Sequence, residues 1–172
     1  SSINLRMPAF SKPESDANTG MHLKRRTCLS SLAGLGLVAA MPGLAGAQTL
    51  HLARHRGKLV YLDFWASWCG PCQQSFPWLA QMHDKYYEQG LRIVAVNLDR
   101  NRAAAERFLA RLPAPFEVVF DPEGVQAERF GVSGMPHSFL IARDGRLLSN
   151  HIGFLTGEQA PREAAIVAAL ET

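Results

Sequence analysis

The order of apolar and amphipathic segments predicts an α/β fold, in which a central mixed sheet carries helices on both faces. Residues 59–64 and 91–98 are short and almost continuously apolar, as is typical of strands buried on both sides. Segments with helical spacing of apolar residues separate the strands and favour parallel crossover connections. A hairpin signal at residues 143–145 adds an antiparallel pair near the C-terminus. The predicted order is therefore β-α-β-α-β-α-β-β-α.

The first half of this pattern begins with the strand at residues 59–64. Residues 73–88 follow it with apolar side chains at helical spacing, which predicts the first helix. Pro77 lies inside this helix and is expected to kink it, because proline removes a backbone hydrogen bond. After the second strand, residues 102–112 predict another helix and residues 116–120 a short strand.

The second half begins with a turn, since residues 121–124 read Asp-Pro-Glu-Gly. Residues 125–130 predict a brief helix. Two strands are then expected, at residues 137–142 and 146–152, because the Arg-Asp-Gly segment between them is typical of a hairpin turn. These two strands supply the antiparallel part of the sheet.

The last helix is expected to start near Thr156 and to run to about residue 170. The spacing of Thr156 and Gln159 resembles a capping box, in which the two side chains satisfy free amides at the helix start. Pro161 offers an alternative, because proline is favoured in the first turn of a helix.

The first 47 residues are expected to lie outside the folded domain, which would span residues 48–172. Residues 21–47 have the order of features found in an export signal of the Sec or twin-arginine type. A start residue, a basic cluster and a small-residue cleavage pattern follow one another, at Met21, at Lys24 to Arg26 and at Ala45 to Ala47. An uncleaved membrane anchor is the alternative. Residues 1–20 are expected to be disordered or non-native upstream sequence.

The charge balance does not favour a nucleic-acid partner. The chain has 18 Lys and Arg against 15 Asp and Glu. Five of the basic residues and two of the acidic ones precede residue 48, which leaves 13 of each in the predicted domain. The basic character therefore belongs to the predicted leader, and the domain itself should be close to neutral.

Cysteine usage points to redox chemistry. Cys28 falls in the predicted leader, so the domain keeps only Cys69 and Cys72, two residues apart at a strand-to-helix junction. The helix N-terminus favours a thiolate on Cys69, and the thiolate is the nucleophile in disulfide exchange. The alternatives are an inert structural disulfide or half of a zinc site, although the sequence holds no second CxxC pair to complete one.

Residues 62–72, Leu-Asp-Phe-Trp-Ala-Ser-Trp-Cys-Gly-Pro-Cys, resemble the active-site segment of thioredoxins. Pro77 matches the proline inside the first helix of that family, and residues 134–136, Gly-Met-Pro, resemble its cis-proline loop. The additional α-β segment at residues 91–120 is similar to that of exported TlpA/ResA-type thiol-disulfide oxidoreductases. The resemblance covers about residues 50–170 and implies a thioredoxin fold with an inserted α-β segment.

The site residues follow from the motif and the resemblance together. Cys69 is expected to attack a substrate disulfide, and Cys72 to resolve the mixed disulfide that forms. The resemblance makes Asp63 the proton acceptor for Cys72. It also implies a substrate-binding surface with a cis-proline at its centre, made of Trp68, Gly70, Pro71, Met135 and Pro136.

Two residues have roles that stay open at this point. Asp99 lies near the position from which many TlpA/ResA-type proteins supply an acidic residue, with Arg100 beside it where some members have glutamate. It is therefore an alternative acid to Asp63. His137 follows the predicted cis-proline and could influence Cys69 or bind a metal, but a histidine that faces into the strand environment is the favoured interpretation.

The resemblance implies an exported, periplasmic reductase of protein disulfides that needs no cofactor and no metal. Its expected substrates are disulfide-bonded exported proteins, such as the haem-attachment cysteines of apocytochrome c or copper-site cysteines. A membrane thiol-relay protein is the expected electron donor, and a monomer is the expected state. The alternatives are an oxidant or isomerase of the same fold, a metallochaperone that uses the CxxC pair, and a peroxidase.

Overall fold

The computed structural model describes residues 50–172, and these form an α/β fold around a five-stranded sheet. The strands are β1 (Leu59–Trp65), β2 (Leu91–Asn97), β3 (Glu117–Phe120), β4 (His137–Ile141) and β5 (Leu147–Ile152). The helices are α1 (Gly70–Tyr86), α2 (Arg102–Arg111), α3 (Val125–Arg129) and α4 (Gln159–Leu170). Short 3₁₀ turns, Leu52–His55 and Thr156–Glu158, precede β1 and α4. The predicted order of strands and helices is confirmed.

The sheet is mixed, with the strand order β3-β2-β1-β4-β5. Parallel pairing joins β1 to β2 and β2 to β3, while β4 pairs antiparallel with both β1 and β5. All seven residues of β1 are buried, because this central strand is covered on both faces. The inserted segment, β2-α2-β3, extends the sheet on the parallel side, as the sequence predicts.

The alternation of side chains along β1 separates two cores. Tyr61 and Trp65 point to the face covered by α1, α2 and α4. Leu62 and Phe64 point to the opposite face, where α3 and the first 3₁₀ turn pack. Helices therefore cover both faces of the sheet, as predicted. Odd-numbered residues of β1 face one core, and even-numbered residues face the other.

The starts of two helices test the sequence predictions. Helix α1 begins at Gly70, three residues before the apolar periodicity of residues 73–88, with Cys69 as its N-cap at the predicted helix N-terminus. Helix α4 begins at Gln159, and within the described chain Glu158 makes no side-chain capping bond there. The capping-box prediction at Thr156 is therefore wrong, and Pro161 lies in the first turn instead, as the alternative requires.

The predicted leader and the upstream segment, residues 1–47, lie outside the described residues. Among residues 50–172, no helix combines the length and the apolar character needed to cross a membrane.

Candidate active site

Cys69 and Cys72 form a disulfide at the junction of β1 and α1, with their Cα atoms 5.3 Å apart. Cys69 is the N-cap of α1, and its Sγ accepts a hydrogen bond from the backbone N–H of Cys72 at 3.2 Å. Cys69 is 5% exposed, whereas Cys72, inside the first turn, is completely buried. The sulfur of Cys69 thus lies where free amides and the helix dipole stabilise negative charge.

The loop that leads into the motif is held by Asp99, which lies just after β2. One carboxylate oxygen accepts hydrogen bonds from the Ser67 backbone N–H at 2.8 Å and from Asn97 Nδ2 at 2.7 Å. The other oxygen accepts one from Ser67 Oγ at 2.8 Å. Asp99 therefore ties the β1–α1 loop to the end of β2 and already has partners for both oxygens. This arrangement favours Asp63 over Asp99 as the acid.

Asp63 lies on the face of β1 that packs against α1, between Tyr61 and Trp65. It is 2% exposed, and its Oδ2 has no hydrogen-bond partner among the described residues. Removal from water raises the pKa of Asp63 to about 8, and the opposing charge of Arg162 offsets only part of this effect. A carboxyl with this pKa can exchange a proton near neutral pH.

A buried polar cluster surrounds Asp63. Ser138 on β4 is its direct cross-strand partner. The guanidinium of Arg162, from α4, donates a hydrogen bond to Ser138 Oγ at 3.1 Å and a long one to the Tyr61 hydroxyl at 3.5 Å. Burial raises the pKa of Tyr61, and the neighbouring Asp63 adds to this effect.

Sequence reasoning missed Arg162, although one signal for it exists. Arg162, Ile166 and Ala169 follow the spacing of a single helix face, and all three are buried. An arginine at the start of an otherwise apolar stripe marks a charge that the fold must accommodate internally.

Beside the disulfide is a cavity of about 600 Å³. Four of the five predicted substrate-binding residues line it, namely Trp68, Gly70, Pro71 and Met135. The other lining residues were not predicted from the sequence, and they are Leu98, Ala127 and residues 132–134. Because the side chain of Trp68 is 70% exposed, the rim of the cavity is apolar and open to a partner.

Pro136 is the fifth predicted substrate-binding residue. The Met135-Pro136 peptide bond is cis, as the resemblance implies. Pro136 itself is buried and does not line the cavity, whereas the preceding Met135 does. The loop therefore presents Met135 beside the disulfide and places Pro136 behind it.

His137 faces away from the catalytic helix. It stacks on Phe139 with ring centroids 4.3 Å apart, on the face of the sheet opposite to α1. Burial lowers the pKa of His137, and the side chain of Asn150 raises it by less than burial lowers it. The strand-environment interpretation of His137 agrees with this position. No group of three or more potential metal ligands occurs within residues 50–172.

Comparison with known proteins identifies the family of the chain. The Redoxin family matches residues 6–168 of the chain. The thiol-disulfide oxidoreductase ResA of Bacillus thuringiensis subsp. konkukian is 34% identical over 110 residues, which is 64% of each chain. ResA of Bacillus subtilis is 34% identical over 107 residues, covering 62% of this chain and 60% of that protein. The chain thus matches less than two thirds of the length of these relatives.

Solved structures share the fold. A Chlorobium tepidum protein assigned as the thiol:disulfide interchange protein DsbE is 53% identical, with a TM-score of 0.68 over 69% of this chain and 84% of that one. StoA of Bacillus subtilis is 28% identical, with a TM-score of 0.55 over 63% and 84% of the two chains. The chain therefore belongs to the Redoxin family and is a TlpA/ResA-like member of the thioredoxin superfamily with the thioredoxin fold.

Proposed function

We propose that this chain is an exported thiol-disulfide oxidoreductase that reduces disulfides in other proteins. The observation that carries the proposal is the asymmetry of the cysteine pair, in which Cys69 caps α1 while Cys72 is enclosed within the first turn. A slightly exposed, amide-stabilised sulfur beside a fully buried one suits attack followed by internal resolution. The names of the relatives, thiol-disulfide oxidoreductase and thiol:disulfide interchange protein, support the same chemistry.

The first step starts from the reduced protein. The Cys69 thiolate attacks one sulfur of a substrate disulfide, so that a bond forms between Cys69 and the substrate while the substrate S–S bond breaks. The second substrate sulfur leaves as a thiolate and takes up a proton.

The second step releases the substrate. Cys72 gives its proton to the Asp63 carboxylate and attacks Cys69 Sγ, which forms the intramolecular disulfide and breaks the bond to the substrate. The substrate sulfur leaves as a thiolate and is then protonated. Two electrons have moved from the protein dithiol to the substrate disulfide, so an external dithiol donor must reduce the Cys69–Cys72 bond before the next cycle.

The cavity beside the disulfide suits an extended segment of substrate. Trp68 and Met135 supply apolar contacts in the cavity that Cys69 lines, and Gly70 and Pro71 line it as well. Backbone groups of Met135 could pair with the substrate chain in a strand-like contact.

The resemblance to TlpA/ResA-type proteins supports a periplasmic location for this chemistry. It suggests the haem-attachment cysteines of apocytochrome c, or copper-site cysteines, as substrates. A membrane thiol-relay protein would be the electron donor, because the exported compartment lacks the cytosolic reductase.

Trapping tests the mechanism. The full chain carrying Cys28→Ser and Cys72→Ser should hold substrates as mixed disulfides through Cys69, because the resolving thiol is missing and no other thiol remains. The captured proteins should be released by a reductant and identified by mass spectrometry. Capture that persists unchanged after a further Cys69→Ser substitution would refute the assignment of Cys69 as the nucleophile.

The direction of electron flow is tested by the reduction potential. The Gly70-Pro71 pair matches thioredoxin, for which the potential is about −270 mV. We expect a value near this one when the Cys69–Cys72 pair is equilibrated with redox buffers. A value near about −120 mV, as for strong oxidants of this fold, would instead assign the chain an oxidising role.

A further inference from the structure

The buried cluster around Asp63 connects the active-site face of the sheet to the surface. Asp63 and Tyr61 come from β1, and Ser138 from β4, where it pairs directly with Asp63. Arg162 enters from α4 and is itself 5% exposed. Glu158, one helical turn before Arg162, has a side chain that is 46% exposed. An arginine thus links a buried carboxyl on one side to a solvent-exposed carboxylate on the other.

Arg162 distributes its donors over both sides of this cluster. One terminal nitrogen donates to Ser138 Oγ and Tyr61, next to Asp63. The other donates to Glu158 Oε2 at 2.7 Å and to the Gly153 carbonyl at 2.9 Å. Its Nε has no hydrogen-bond partner within the described part of the chain.

The cluster contains one fixed positive charge and two carboxyl groups. An arginine does not release its proton in proteins, so its charge persists at every pH of interest. Burial opposes this charge, but hydrogen bonds with Glu158 and Tyr61 outweigh the penalty and raise the pKa of Arg162 further. Asp63 and Glu158 therefore compete for the stabilisation that a single guanidinium provides.

We propose that Arg162 is a positioning residue for the resolving step, whose fixed charge, partly neutralised by Glu158, prepares Asp63 to receive the proton of Cys72. The inference rests on the proposed function, because it acts through the Asp63 carboxylate of that mechanism. Arg162 touches neither sulfur in this role, and Glu158 sets from the surface how much positive charge Asp63 experiences.

The other ionisable groups near the cluster should not titrate in the same pH range as Asp63. In the oxidised protein Cys69 and Cys72 do not titrate, and burial raises the pKa of Tyr61 above its ordinary value of 10.0. The pKa of His151 is lowered, first by burial and then by Arg162. The ionisable groups on the surrounding elements are Tyr61 from β1, His151 from β5 and Cys72 from α1. Arg162 of α4 and Glu158 of the turn before it complete this set. The positions of β2 and β4 that pair with Asp63 hold the non-ionisable Ala95 and Ser138.

The test is a ¹³C NMR titration of the Asp63 carboxyl in the oxidised full chain. In the wild-type protein the midpoint should lie near pH 8. Arg162→Gln should raise the midpoint by at least about 0.5 units, because the ionised carboxylate loses its opposite charge. Glu158→Gln should lower the midpoint, because the guanidinium charge is then less neutralised. A merely structural role for either side chain does not require these opposite shifts.

Two further variants are controls. Arg162→Lys keeps the charge and should restore a midpoint close to that of the wild type. Glu163→Gln removes a neighbouring carboxylate of α4 that pairs with Lys85 and Tyr86, and it should leave the midpoint unchanged. Glu158 is half exposed, so Glu158→Gln should fold even if Arg162→Gln does not. An unmoved midpoint in Glu158→Gln overturns the proposal.

A kinetic measurement connects the titration to the reaction. The rate at which Cys72 resolves a preformed mixed disulfide on Cys69 should depend on pH with a midpoint near the Asp63 midpoint. This midpoint of the rate profile should move to higher pH in Arg162→Gln and to lower pH in Glu158→Gln. If trapping through Cys69 fails while the midpoints shift, the proposed function is wrong but the coupling stands. If trapping succeeds while the midpoint of Glu158→Gln is unmoved, only the role of Arg162 is refuted.

Discussion

Asp63 lies in a strand whose seven residues are all buried. Its pKa of about 8 in the folded chain compares with an ordinary value of 3.8. Because the folded pKa is the higher one, the folded state holds a proton between about pH 4 and 8 that the unfolded state has lost. The contribution of Asp63 to stability is therefore complete below about pH 4 and is lost as the pH rises to 8.

Replacement of Asp63 by Asn should remove this pH dependence. We expect the free energy of unfolding of Asp63→Asn, relative to the wild type, to increase by up to about 1.4 kcal/mol per pH unit between pH 4 and 8. Urea unfolding of both oxidised proteins at pH 5 and pH 8 measures the difference. Glu88→Gln, at an exposed position in the turn after α1, is the control and should show little change. A difference for Asp63→Asn that is the same at both pH values would contradict the raised pKa.

At the scale of an element, the β1–α1 loop depends on a side chain from another loop. Asp99, beyond β2, accepts hydrogen bonds from both the backbone N–H and the hydroxyl of Ser67, two residues before Cys69. Hydrogen bonds to a charged group contribute about 1.5–3 kcal/mol each, and the loss of the carboxylate would leave a buried amide at Asn97 without its acceptor.

Asp99→Ala should therefore destabilise the oxidised protein by about 2–4 kcal/mol, as measured by urea unfolding. Ser67→Ala removes only the hydroxyl bond, one of the three that Asp99 accepts, and should cost less, about 1.5 kcal/mol. If Asp99 were a proton donor or acceptor rather than a holding residue, its loss would alter the pH profile of disulfide exchange more than stability. An unfolding free energy within about 0.5 kcal/mol of the wild type would show that the loop does not need this support.

Local sequence signals predict some element boundaries and miss others. Apolar periodicity marks α1 only from residue 73, whereas the position of the CxxC motif predicts a helix N-terminus at Cys69, and Cys69 Sγ does accept the Cys72 amide. The capping-box pattern at Thr156 was misleading, because a 3₁₀ turn at Thr156–Glu158 precedes α4. That turn places Glu158 one helical turn before Arg162, where its carboxylate accepts a hydrogen bond from the guanidinium.

At the scale of the whole molecule, the site joins segments that are far apart in the chain. The CxxC motif, the cis-proline loop and Asp63 could be predicted, because each is a local pattern in a recognisable family. Arg162 could not be placed beside Asp63 from the sequence, since 99 positions separate them and the contact depends on how α4 crosses the sheet. The same holds for the cavity wall formed by Leu98 and Val132.

The inserted segment also belongs to the core beneath the active site. Phe108 of α2 is completely buried, and its ring lies 4.6 Å from that of Trp65 and 4.8 Å from that of Phe76. Trp65 ends β1, four residues before Cys69, and Phe76 lies on α1, four residues after Cys72. The insertion therefore packs directly against both elements that position the disulfide, and the described residues should unfold as one cooperative unit.

Phe108→Ala tests this cooperativity. Loss of a fully buried phenylalanine should cost about 3–5 kcal/mol, because the aromatic contacts disappear and a cavity remains. Tryptophan fluorescence, which reports on Trp65, Trp68 and Trp78, and far-UV circular dichroism should still give coincident urea transitions, shifted together to lower urea. Leu155→Ala, at a side chain that is 67% exposed, should change stability by less than about 0.5 kcal/mol. Separate transitions in Phe108→Ala would mean that the inserted helix can unfold while the sheet and the disulfide site persist, and the insertion would then be an appendage rather than part of the core.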